Sequence, residues 1–383
     1  MFKLLKGGHC FSPEDIGIKD ILIVGNKIYK MEDDIPQEGI LDLEVIDCNG
    51  KIICPGFIDQ HVHITGGGGE EGPDSRIPEI MLGEILNAGV TTLVGVLGMD
   101  GITRNISGLL TKARALDFEG ITTFIYTGSY GVPTATLTGK AISDIALIDK
   151  VIGIGEIAIA DYRSSHPSGQ MLKELASEAR VGGLLGGKAG VLHIHVGDGK
   201  EGLTPLFELV EKSDFPIGMF VPTHLNRNKT LFEQALEYGR LGGYMDLTAG
   251  ETSERGYSVP DAMEIILKSG INSDLVSISS DGNGSMPVNS QNPSGIGLVN
   301  QLFVDIRKCI FDKKIGVETI LKAVTSNVAK ILKIYPLKGA LSPGSDADIL
   351  VLNSRDLSIH QMLILGQTCI ANGSLVKKGR YEK

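Results

Sequence analysis

Residues 52–72 read IICPGFIDQHVHITGGGGEEG: an apolar run closing on two histidines one residue apart, then four glycines, then two acids. On an extended strand residues i and i+2 point to the same side, so His61 and His63 present two imidazoles to one point in space. That is a metal-ligand geometry. A bare pair of this kind is more often packed in a core, so the rest of the chain must decide.

Outward from this run the pattern repeats. Short β-branched stretches recur as TTLVGVLG (91–98), ITTFIYTGSY (121–130), IGEIAIAD (154–161), VLHIHVGD (191–198), IGMFVPTH (217–224), GYMDLTAG (243–250) and LVSISSDGNG (275–284). With IICPGFIDQHVH they make eight candidate strands. Between them lie stretches with apolar positions near a 3.6 period, at 77–89, 170–183, 204–213, 230–243 and 261–270, several with Gly at the C-terminal end. Strand–helix alternation of this length predicts an α/β fold of the (β/α)8 TIM-barrel type. A doubly wound sheet would want a GxGxxG turn opening its first helix, and GGGGEEG lacks that form.

The flanks read differently. DILIVGNKIYKMED (20–33), EVIDCNGKI (44–52), DADILVLNSRDLSI (346–359) and LVKKGRYEK (375–383) are short strands with Gly/Asn turns and no long helices between. They predict one small β-sandwich-like domain built from both termini. The expected organisation is residues 1–54 and 336–383 in that domain, with the barrel over 55–335.

Bulk properties bound the function. The 383 residues, 42% of them hydrophobic, carry a net charge of −10, and the pI is about 5.4 with mean hydropathy +0.11. An acidic surface disfavours nucleic acid or an anionic membrane as the main partner, leaving small molecules. MFKLLKGGHCFSPED lacks the apolar stretch of a signal peptide, and no run of about 20 apolar residues is present; a cytoplasmic protein is expected. The five cysteines show no CxxC spacing, so neither a disulfide framework nor a thiolate zinc site is indicated.

Barrel active sites stand at the C-terminal ends of the strands. There the sequence places His61, His63, Glu156, His195, His224 and Asp281, four of the eight histidines and two carboxylates. Imidazole and carboxylate donors suit zinc, and also manganese, iron or cobalt. Six ligands exceed the four of a closed structural site. Two metals bridged by Glu156 would use them all and could hold and deprotonate a bridging water, which points to hydrolysis.

With these residues in view, the chain resembles the amidohydrolase superfamily. Within it, HVHITGGGGEEGP, TGSYGVP, ADYRSSHP, RVGGLLGGKAGV, PTHLNRN and SSDGNGS resemble the isoaspartyl dipeptidases over nearly the whole chain. The resemblance implies a binuclear metallo-dipeptidase that cleaves β-aspartyl dipeptides through a hydroxide bridging two metals, and a homo-oligomer. It assigns His61, His63 and Asp281 to one metal and His195 and His224 to the other, with Asp281 also the general acid–base. Glu70 would receive the substrate's α-amino group, Arg163 and Arg227 its carboxylates, and Tyr130 would polarise the scissile carbonyl. Ser285 and Gly68 would line the pocket. His193, one layer deeper than His195, reads as core, and His9, His166 and His360 have no strand-end context.

Two departures stand out. Where a carbamylated lysine often bridges the metals in this family, GIGEIAIAD offers Glu156 and no lysine, and Met99 stands where a small polar residue would be expected. A cyclic-amide hydrolase of the hydantoinase or dihydroorotase kind shares the metal frame and is the alternative enzyme. A mononuclear deaminase has no use for Glu156, and a metal-dead scaffold would have lost ligands.

Overall fold

The opening run is two strands, not one. In the computed structural model, which describes residues 2–288, 292 and 294–382, Lys51–Pro55 and Phe57–Val62 belong to different sheets. Gly56 is the break: its N–H donates to Asp348 O at 2.9 Å, and a Cβ there would stand 2.2 Å from Thr91 Cγ2. Pro55 has no N–H to continue a ladder.

Phe57–Val62 begins a curled parallel sheet continued in order by Val90–Gly95, Thr122–Thr127, Val151–Ile159, Val191–Val196 and Phe220–Thr223. Met245–Thr248 and Val276–Ser279 form a parallel pair. That pair is tied to both sides of the larger sheet, since Leu225 N donates to Asp246 O at 3.3 Å and His63 N to Gly282 O at 2.8 Å. These strands are buried almost throughout, as strands covered on both faces must be.

The expected helices form as Leu82–Asn87, Gly169–Gly186, Thr204–Glu211, Lys229–Arg240 and Val259–Lys268. Ser168, Asn228 and Ser258 cap three of them by accepting from the first-turn N–H groups. Ile106–Glu119, Ala141–Leu147, Val299–Phe311, Val317–Val324 and Ser326–Ile331 are further helices that the periodicity did not single out.

The flanks meet in one nine-stranded sheet rather than two packed ones. Lys51–Pro55 pairs antiparallel with Ile349–Asn353, so the two ends of the chain are stitched together at its centre. The expected strand at 375–383 reduces to Ser374–Leu375, and Lys383 lies outside the described residues. Phe2–Phe11, Ile359–Ile364 and Gln367–Ala371 supply strands instead. The tail beyond them leaves the sheet, because Glu382 accepts from Gly83 N at 2.9 Å, in the helix Leu82–Asn87. No helix of the described residues is long and apolar enough to cross a membrane.

Candidate metal centre and substrate cleft

His61 lies in Phe57–Val62 and His63 just beyond it, Glu156 in Val151–Ile159 and His195 in Val191–Val196, while His224 and Asp281 follow Phe220–Thr223 and Val276–Ser279. The fold brings all six together. Glu156 is the hub: Oε2 lies 3.5 Å from His61 Nε2, 3.2 Å from His195 Nδ1 and 3.8 Å from His224 Nε2, and Oε1 lies 3.4 Å from His63 Nε2. Asp281 Oδ1 stands 3.1 Å from His63 Nε2 and 3.5 Å from His61 Nε2. Among the described residues two groups could each hold a metal ion, His61–His63–Glu156 and Glu156–His195–His224, and they share Glu156.

The donor atoms fit cations. His61 Nε2, Glu156 Oε1 and Asp281 Oδ1 are buried without a hydrogen-bond partner, where buried polar atoms are normally satisfied. Burial alone would push the Glu156 carboxyl up; the charge on His61 and the close approach of His195, His224 and His61 outweigh it and hold it well below the carboxylate range. Burial also opposes ionisation of Asp281, and the close contact with His63 together with the nearby histidine charges overcomes it. Both carboxyls are thus kept in the form a cation binds.

The far nitrogens of the histidines are anchored. His61 Nδ1 meets His193 Nε2 at 2.7 Å, His224 Nδ1 meets Thr248 Oγ1 at 2.7 Å, and His195 Nε2 meets Asp161 Oδ2 at 2.9 Å. Such bonds choose the tautomer and ring plane of a metal-binding histidine. His193, read from the sequence as core, is fully buried, yet it also holds a candidate ligand and stacks on Tyr126 at 4.9 Å.

Against this cluster lies a space of about 20 Å³, opening to a cleft of about 670 Å³; Gly68, Glu70, Arg163, Arg227 and Ser285 line both. Tyr130 and Met99 line the inner space. The tetraglycine explains how Glu70 gets there. The loop doubles back so closely that a Cβ on Gly66 (φ +77°) would lie 1.9 Å from Ile77 O, and one on Gly68 (φ +73°) 2.4 Å from Ser75 O; glycine alone fits both the space and the left-handed backbone.

Glu70, Arg163 and Arg227 are already paired. Glu70 Oε1 accepts from Arg163 Nη1 at 3.0 Å and Ser285 Oγ at 2.7 Å. Arg163 also forks onto Asp161, Nε to Oδ1 at 3.0 Å and Nη2 to Oδ2 at 2.8 Å. Arg227 Nη1 donates to Val196 O at 3.1 Å, and its Nε lies 3.8 Å from Glu251 Oε1. Tyr130 Oη is 2.8 Å from His195 Nδ1, and burial raises its hydroxyl pKa well above the usual value.

Residues 251–373 match the family model of the amidohydrolase family. The β-aspartyl dipeptidase of Fervidobacterium islandicum AW-1 is similar over 98% of both chains, at 41% identity and TM-score 0.91; its complex with β-Asp-Leu is similar at 42% identity and the same TM-score. The chain belongs to the β-aspartyl dipeptidase family. Dihydropyrimidinase from Brevibacillus agri shares its fold at 16% identity and TM-score 0.72. The dihydroorotase of Lactobacillus leichmannii is 26% identical over 188 residues, and this chain spans 39% of that enzyme's length.

For this family member, sequence reasoning missed the residues that hold the others. Asp161, Thr248 and Glu251 touch His195, His224 and Arg227, but none stands in a motif with an intrinsic signal. Asp161, two residues before Arg163 in ADYR, was the most readable. His9 pairs with Asp15 at the surface, and His166 and His360 do not contribute to the cluster.

Proposed function

We propose that the chain is a metal-dependent dipeptidase that hydrolyses the isopeptide bond of β-aspartyl dipeptides. The observation that carries this reading is its whole-chain similarity to an enzyme crystallised with β-Asp-Leu. We further read the eight parallel strands as one closed (β/α)8 barrel over residues 55–335, with 1–54 and 336–383 as the small domain.

In this reading His61, His63 and Asp281 would hold one divalent cation and His195 and His224 the other, with an unmodified Glu156 as the carboxylate shared between them; zinc suits these donors best. When bound, such a pair supplies Lewis acidity and lowers the pKa of a water. Asp281 accepts a proton from the attacking water and returns it to the leaving amine as the C–N bond breaks. Tyr130 turns from His195 to donate to the carbonyl oxygen, stabilising the charge that develops there. Glu70 takes the α-ammonium, Arg227 the aspartyl α-carboxylate and Arg163 the carboxylate of the leaving residue, for which guanidinium forks are suited. Gly68 and Ser285 complete the wall.

Steady-state assay of the purified, metal-loaded protein tests this. An α-linked isomer carries the same charges on a different branch, and a mispaired buried charge costs about 2–5 kcal/mol. β-Asp-Leu should therefore be cleaved at least about a hundredfold better in kcat/KM than α-Asp-Leu, the ratio that about 2.7 kcal/mol produces. Equal rates on the two isomers, or faster hydrolysis of a hydantoin, would favour the cyclic-amide reading instead.

A further inference from the structure

The loop that carries Glu70, between Phe57–Val62 and Leu82–Asn87, is nearly bare main chain where it folds back: Gly69 N donates to Ser75 O at 3.2 Å and Ile77 N to Gly67 O at 3.0 Å. Glycines give such a segment little side-chain packing with which to hold its place. Arg104 ties it down. From the turn ahead of Ile106–Glu119, its Nε donates to Thr65 O at 3.1 Å and its Nη2 to Ile77 O at 3.1 Å, one carbonyl on each leg of the loop. Nη1 reaches Asp100 Oδ2 at 3.3 Å, and Arg104 is only 7% exposed. A guanidinium's donors lie in one rigid plane, so satisfying both carbonyls fixes the separation and tilt of the two legs.

We infer that Arg104 is a positioning residue for recognition of the substrate's amine: by pinning both legs it sets where the Glu70 carboxylate stands. This rests on the reading of Glu70 as the ammonium's partner. Arg104→Lys keeps the charge beside Asp100, but an ammonium is a point donor that cannot span both carbonyls in a fixed plane.

The test compares β-Asp-Leu with succinyl-leucine, the same molecule without its amine, in the holoenzyme. For Arg104→Lys, kcat/KM on β-Asp-Leu should fall by about ten- to a hundredfold, the scale of a small misplacement of a binding group, with most of the loss in KM. On succinyl-leucine it should change by no more than about twofold, and Arg104→Lys added to Glu70→Ala should cost nothing further beyond about twofold, the usual error of additivity. Equal losses on the two substrates, or losses that multiply with Glu70→Ala, would show a general structural role and overturn the inference alone. Full activity of Glu70→Ala on β-Asp-Leu would remove the amine-binding reading, and this inference with it. Asp100→Asn slackens the guanidinium from its other side with Arg104 intact. It should show the same substrate split and the same non-additivity with Glu70→Ala, and a uniform loss there counts against the clamp.

Discussion

Removing the substrate's α-amino group should cost this enzyme less than a charged pocket suggests. At rest Glu70 is not bare: Arg163 Nη1 at 3.0 Å and Ser285 Oγ at 2.7 Å already satisfy the same carboxylate oxygen, and its side chain is 20% exposed. A substrate without the ammonium therefore leaves Glu70 as it was instead of stranding it. What is lost is one charge-assisted hydrogen bond, about 1.5–3 kcal/mol, or about ten- to a hundredfold in kcat/KM. Stranding the charge would have cost about 2–5 kcal/mol or more. Glu70→Gln should fall in the same range on β-Asp-Leu, because Arg163 keeps its fork on Asp161 and is not left unpaired. The assay is a two-by-two set of kcat/KM values, parent and Glu70→Gln on β-Asp-Leu and succinyl-leucine. The substitution should be close to silent on succinyl-leucine. Comparable turnover of both substrates by the parent, or an equal loss on both in the variant, would refute the assignment of Glu70.

The remaining predictions concern the metal cluster. Asp281→Asn should retain the fold while kcat drops by about two to four decades, the span of a lost general acid–base group; near-normal turnover would take Asp281 out of the mechanism. His193→Leu should weaken binding of one metal equivalent by about ten- to a hundredfold, as loss of a ligand-orienting partner does, read by competition with a chromophoric chelator; unchanged affinity for both equivalents would return His193 to a packing role. After chelation, activity restored by divalent metal should be independent of added bicarbonate, since Glu156 needs no carbamate; strong bicarbonate dependence would contradict an unmodified bridge.

The sequence by itself was informative wherever the signal is local. Alternation of apolar strand runs with 3.6-period segments reports which stretches are strands and helices, and His61 with His63 reports a shared face, because neighbours on one element are related by the element's own repeat. Strand ends then supply His195, His224 and Asp281, since parallel strands bring their C-terminal ends to one side of the sheet. Tertiary structure alone decided what depends on a second element. Gly56 ends one strand and starts another because of Asp348 and Thr91, far along the chain from it. The nine-stranded sheet is set by the pairing of Lys51–Pro55 with Ile349–Asn353, which strand propensity does not encode. His193 against His61, Asp161 forked by Arg163, and Arg104 spanning both legs of the glycine loop are polar contacts made when the elements pack. A hydrogen bond requires a distance near 3 Å and an aligned donor, and no periodicity along a chain carries that distance between residues the fold alone makes neighbours.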